Sequence, residues 1–90
     1  MKAIRIKHNN KTILDSILIE DEYKFSTLIT ELEILLKKFN MKKRQLDRKT
    51  ILFKNSKDVI EINSYNSNNT SKTVENEEIK TKIIKSILSD

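Results

Sequence analysis

The sequence contains no glycine, proline, cysteine or tryptophan, and a single alanine. Without glycine it has no P-loop, no Rossmann fingerprint and no Gly-rich phosphate cradle, because each needs glycine where backbone closes on phosphate. Without cysteine it has no disulfide, no thiolate metal site and no cysteine nucleophile. Long apolar runs are missing as well. The longest are three residues (17–19, 34–36 and 51–53), against about 20 for a membrane-crossing helix. Residues 1–7 alternate apolar and basic side chains with no apolar h-region. No secretory signal and no membrane contact are therefore expected, and the cytoplasm is the expected compartment.

What is present is skewed. Isoleucine (14), lysine (15) and asparagine (9) dominate the 90 residues. All three have AT-rich codons, which points to an AT-rich genome: a low-GC bacterium, its phage or plasmid, or a similar virus. Part of the lysine content then reflects mutational bias. Bias accounts poorly for the zero glycines, since average usage predicts about six. Ile, Leu, Val and Phe make up about a third of the chain, above the level that marks disorder. A chain of this length forms one small domain and buries about 60–65% of its unfolded surface.

Periodicity gives the elements. Ile4 and Ile6 alternate with Arg5 and Lys7, a strand signal, and Asn9-Asn10 reads as a hairpin turn because asparagine tolerates left-handed backbone. Residues 12–19 resume as a strand, with Ile13, Ile17 and Ile19 on one face and Leu14 and Leu18 on the other. Phe25, Leu28, Ile29, Leu32, Leu35, Leu36 and Phe39 then follow helical spacing, with Ser26 as the expected N-cap. Only Asn40 interrupts this pattern, so the helix is expected to extend through Met41 to Leu46. Residues 49–54 and 58–65 read as strands around a turn at 55–57. Thr73 is expected to cap a last helix with an apolar stripe of Ile79, Ile83, Ile84, Ile87 and Leu88.

The expected fold class is α+β: a ββαββ antiparallel sheet with one helix packed across it, then a polar linker and a C-terminal amphipathic helix. The boundaries are 1–65 for the core, 66–73 for the linker and 74–90 for the helix, which folds back on the open sheet face. The opening hairpin and helix, with Lys11-Thr12-Ile13 after the turn, resemble a β-grasp, ubiquitin-like domain. That resemblance implies an interaction domain and assigns no site residue. The diglycine used for conjugation is absent from the sequence.

The charge is local. Residues 1–36 are net −1 and residues 50–90 net 0, while 37–49 are net +6. The excess lies in Lys37, Lys38, Lys42, Lys43, Arg44, Arg48 and Lys49, against Asp47. On a continued helix Lys38 and Lys42 would stack, and Lys37 and Arg44 would share a side. Such a cluster suits phosphate or an acidic protein patch. A solvated helix C-terminus would carry lysines too. Phe39 alone falls among the cations, so the interleaved aromatics of base stacking are not indicated.

The remaining candidates are weak. His8, the sole histidine, falls in a turn and reads as an exposed loop residue. Glu20-Asp21-Glu22 reads as a polar loop, and Glu75, Glu77 and Glu78 as a helix start; neither has metal-ligand spacing. No catalytic residue, cofactor site or metal site is expected. Two functions remain. The first is a small non-enzymatic protein-binding module, such as a phage- or mobile-element-encoded inhibitor of a host nucleic-acid enzyme or defence nuclease. Its partner would be a host protein or ribonucleoprotein complex, docked on the 79/83/84/87 stripe or an unpaired sheet edge, where a second copy could also pair. The second is direct nucleic-acid binding through the 37–49 cluster.

Overall fold

Two asparagines make the first turn. The computed structural model describes residues 2–67 and 72–89, and in it Asn9 and Asn10 have φ of 49° and 71°. Positive φ at both positions is the requirement of a two-residue type I′ hairpin, here joining β1 (Lys2–His8) to β2 (Lys11–Ile19). Three further strands, β3 (Lys42–Gln45), β4 (Thr50–Lys54) and β5 (Val59–Asn66), complete one sheet in the order β2-β1-β5-β4-β3. Every pairing in it is antiparallel. The helices are α1 (Glu22–Leu36) and α2 (Asn76–Leu88), with a short 3-10 turn at Lys37–Phe39. The α+β class and the antiparallel sheet are as the sequence predicts. After the hairpin and α1 come an antiparallel β3–β4–β5 meander and α2.

The expected helix extension through Leu46 does not form. The Met41 N–H bonds the Leu36 carbonyl (3.2 Å) and the Asn40 N–H bonds that of Lys37 (3.0 Å). This is the Schellman closure, with Asn40 at φ 59° in the position glycine usually takes. Met41 is buried, the hydrophobic contact that accompanies the motif. Residues 42–45 then leave as a fifth strand. The start of α1 also differs: Asp21 caps it by accepting from the Tyr23 N–H (2.8 Å), not Ser26. For α2 the cap position is Glu75, not Thr73.

β2 breaks its own alternation. Ile4 pairs with Ile17 and Ile6 with Leu14, so Asp15 and Ser16 together oppose Arg5. Ser16, at φ 57°, makes this a bulge. The extra residue shifts the parity, so Leu14 joins Ile17 in the core instead of facing away from it.

One core results. Ile4, Ile6, Ile51, Phe53, Ile60 and Ile62 from the sheet meet Leu28, Leu32 and Leu36 of α1 and Ile79, Ile83 and Ile87 of α2. Both helices thus lie on the same sheet face, bridged by Lys80 to Glu31 (3.4 Å). The expected placement of the last helix on the open face is overturned, and that face stays uncovered by either helix. Part of the expected linker, residues 68–71, lies outside the described residues. Beside it, Asn66 ends β5 and Lys72 bridges to Ile17 on the outer edge of β2, accepting from the Leu18 N–H (2.8 Å). Among the described residues no helix is long and apolar enough to cross a membrane.

Candidate nucleic-acid interface

The early end of α1 redistributes the basic cluster. All seven residues are exposed, but they no longer share a helix side. Lys37 and Lys38 sit on the 3-10 turn, Lys42, Lys43 and Arg44 on β3, and Arg48 and Lys49 in the bend before β4. Register divides the β3 residues. Lys43 and Gln45 pair with buried Phe53 and Ile51, so they lie on the helix side, while Lys42 and Arg44 pair with Lys54 and Leu52 on the uncovered face. Lys38 lines a groove with Ile34, Leu35 and Lys80 on the helix layer, away from that face.

Among the described residues, Lys42, Arg44 and Lys54 on the uncovered face have no carboxylate partner. Lys42 stands directly across from Lys54, a like-charge cross-strand pair that destabilises an isolated sheet. Arg44 is one alternation further along the same edge. Among the described residues, Lys43 is the one member of the cluster with a carboxylate partner, Glu33 at 3.8 Å. Charged residues on an edge strand also deter strand-to-strand association. That role explains β3, but not Lys54 on the second strand, nor Arg48 and Lys49 in the bend.

At the bend the fold adds what the sequence does not display. Arg48 and Lys49 line an open cleft of about 410 Å³ together with Lys2, Ser64, Tyr65 and Asn66. Lys2 comes from β1 and Tyr65 from β5, brought beside β4 by the strand order. Lys2 is engaged by Glu22 (3.0 Å), whereas Arg48 and Lys49 have no carboxylate partner among the described residues. The Tyr65 hydroxyl donates to Asp15 (3.1 Å) and lies 3.3 Å from the Ser16 hydroxyl. The Arg5 guanidinium lies 5.1 Å from the ring centroid and also bonds Asp15 (3.1 Å). Burial pushes the Asp15 carboxyl up, but hydrogen bonds from the Ser16 N–H, Tyr65 and Arg5 outweigh it and hold the pKa below its ordinary value. Sequence reasoning missed Lys2, Lys54 and Tyr65. Alternation in residues 58–65 places Tyr65 opposite Ile60 and Ile62, and only the pairing partners show what it meets.

His8 is not an exposed loop residue. It ends β1 on the core side, 5% exposed. Its Nε2 lies 2.7 Å from Asp58 Oδ1 and its Nδ1 2.7 Å from Ser86 Oγ. Facing a carboxylate, Nε2 carries the proton, and in the neutral ring Nδ1 accepts from the Ser86 hydroxyl. This hydroxyl–imidazole–carboxylate chain has the connectivity of a hydrolytic triad. Yet His8 and Asp58 are buried, and none of the three side chains lines the cleft at the bend or the groove beside Lys38. The chain ties α2 to the sheet. Among the described residues no group of acidic, histidine or cysteine side chains has the arrangement of a metal site.

The α2 stripe is also spent internally. Ile79, Ile83 and Ile87 are buried in the core and Ile84 packs against it, so the stripe is not a free docking face. No protein-family model, curated protein or solved structure matches this chain.

Proposed function

We propose that this is a non-enzymatic, cytoplasmic protein that binds nucleic acid through the phosphate backbone, using the cations of its uncovered sheet face and the adjoining bend. One observation supports the reading: Lys42 and Lys54 face each other across β3 and β4, and neither has a carboxylate partner among the described residues. An arrangement that weakens the sheet alone is compensated when a phosphate bridges it. Arg44, Arg48 and Lys49 extend the positive surface from that pair toward the bend before β4. Lys37, Lys38 and Lys43 add to the field without lying on the same face.

The reading as a protein-binding inhibitor from a phage or mobile element draws on α2 as a docking helix, and α2 is occupied by the core. What supports it still is an edge strand of the sheet and the same basic surface, which would seat an acidic protein patch. Dimerisation through the β3 edge would appose Lys42, Lys43 and Arg44 of two copies, which disfavours that pairing.

The test is a Lys42→Glu/Arg44→Glu/Lys54→Glu variant in a fluorescence anisotropy titration with labelled DNA and RNA at about 50 mM salt, where phosphate contacts are strong. The parent should bind and the variant should lose at least tenfold in affinity with its unfolding curve unchanged or improved. No binding by the parent would refute nucleic-acid recognition.

A further inference from the structure

Resting on that reading, we infer that the preferred nucleic acid is a B-form DNA duplex, with the β3 edge of the sheet set into its major groove and one phosphate backbone on each side of that edge. The observation behind this is the division of the basic residues between the two sides of one exposed strand. Lys42 and Arg44 lie on the uncovered face beside Lys54, while Lys43 lies on the helix side. There Lys43 shares an open cleft of about 420 Å³ with Lys37, Asn40 and Met41. The 3-10 turn that follows α1 carries Lys37 to that place.

Deterring strand pairing needs charge on the edge strand alone, so it accounts for Lys42, Lys43 and Arg44 but not for Lys37. The rest of the uncovered face argues against a ligand that lies flat across it. Arg44 pairs with Leu52, and Leu52 with Glu61, so a carboxylate stands two strands in from Arg44 on the same row. Tyr65, further along β5, is engaged by Asp15, Ser16 and Arg5. The free positive surface on that face is therefore a margin made by β3 and the end of β4. On the helix side, the cleft is lined by two lysines against one carboxylate, Glu33, which is 3.8 Å from Lys43. A margin that is positive on both sides fits two backbones with a gap between them.

The dimensions select the gap. A sheet with side chains on both faces is about 10 Å thick, the distance at which sheets stack. The major groove of B-DNA is about 12 Å wide and admits extended chain, whereas the minor groove is about 6 Å wide. All four residues of β3 are exposed, and together they run about 13–14 Å. An A-form RNA duplex has a deep, narrow major groove that excludes such an edge. A single strand has one backbone. It follows the uncovered face and the bend, and leaves Lys37 and Lys43 without a phosphate.

The test is a Lys37→Gln/Lys43→Gln variant. Both residues are exposed, and glutamine removes the charge without adding a second carboxylate beside Glu33. Fluorescence anisotropy follows binding to a DNA duplex of about 20 base pairs, two helical turns, to an RNA duplex of the same sequence, and to one DNA strand alone. Salt is varied from about 50 to 200 mM. The parent should bind the DNA duplex about tenfold or more tightly than either of the other two. On the DNA duplex the variant should lose about tenfold in affinity, and its slope of log K against log salt should be shallower by about 1.8 for two cations. On the single strand it should stay within about twofold of the parent. Should the urea unfolding curve of the double variant differ from the parent's, Lys37→Gln alone reads the same effect as a slope change of about 0.9. Equal affinity for the DNA duplex and the single strand, or for the two duplexes, overturns the inference and leaves the proposed function intact. A duplex salt slope unchanged in the variants does the same. Binding of no nucleic acid overturns both.

Discussion

Replacing His8 with alanine should remove far more stability than its position beside a turn suggests. Asp58 is 3% exposed and its Oδ1 lies 2.7 Å from His8 Nε2. Its other side-chain donor, Asn9 Nδ2, is at 3.4 Å, a long and weak contact. Without the imidazole the carboxylate is stranded in the interior, which costs about 3–5 kcal/mol. A chain of 90 residues has about 5–13 kcal/mol of total stability at typical values per residue. His8→Ala should therefore lower the urea midpoint by roughly 2–5 M, for a slope near 1–1.5 kcal/mol/M. Ser86→Ala removes a hydrogen bond without stranding a charge and should cost about 1 kcal/mol. The decisive arm is the double variant. If most of the His8→Ala penalty is the stranded carboxylate, adding Asp58→Asn should restore part of the lost stability, so the pair is more stable than His8→Ala alone. Urea unfolding followed by far-ultraviolet circular dichroism reads all of these. A His8→Ala cost below about 1 kcal/mol, as for a loop histidine, would refute the reasoning.

Three further outcomes follow from the fold. Asn40→Gly should stabilise the protein by up to about 1 kcal/mol and Asn40→Ala should destabilise it by about as much, since φ there is 59°; paired unfolding curves measure both. Ile83→Ala should cost about 2–5 kcal/mol because the side chain is fully buried in the core beneath α2, whereas a solvent-facing stripe would tolerate it. Asp15, followed by NMR, should titrate below the ordinary aspartate range, and Tyr65→Phe should raise its pKa. A carboxyl whose pKa is lower folded than unfolded adds stability above the unfolded value and loses it as pH falls through the folded one. The contribution should thus vanish in acid, and it should be small because Asp15 is exposed.

The element types were legible where hydrophobic period is strong: the hairpin at Asn9-Asn10, α1, β4, β5 and α2. What failed was local and tied to the missing glycines. Asn40 and Ser16 take left-handed backbone, and neither residue type announces it as glycine would. Asn40 turned an expected helix into an edge strand. Ser16 moved Leu14 from one sheet face to the other. The cationic residues were legible as a cluster, but their division between faces depends on the register of β3 on β4. Tyr65, Lys2 and the His8–Asp58–Ser86 chain are products of long-range pairing, with His8 and Ser86 separated by 78 positions. Helical and strand periods carry no information about such partners.

The proposed contact is between cations on the uncovered face and a phosphate backbone. Its most direct test is the salt dependence of single-strand affinity from about 50 to 200 mM. If Lys42, Arg44, Arg48, Lys49 and Lys54 each neutralise one phosphate, log K against log salt should fall with a slope of about −3.5, and each cation removed should reduce it by about 0.7. A slope near zero, or one that the Lys42→Glu/Arg44→Glu/Lys54→Glu variant leaves unchanged, would contradict it.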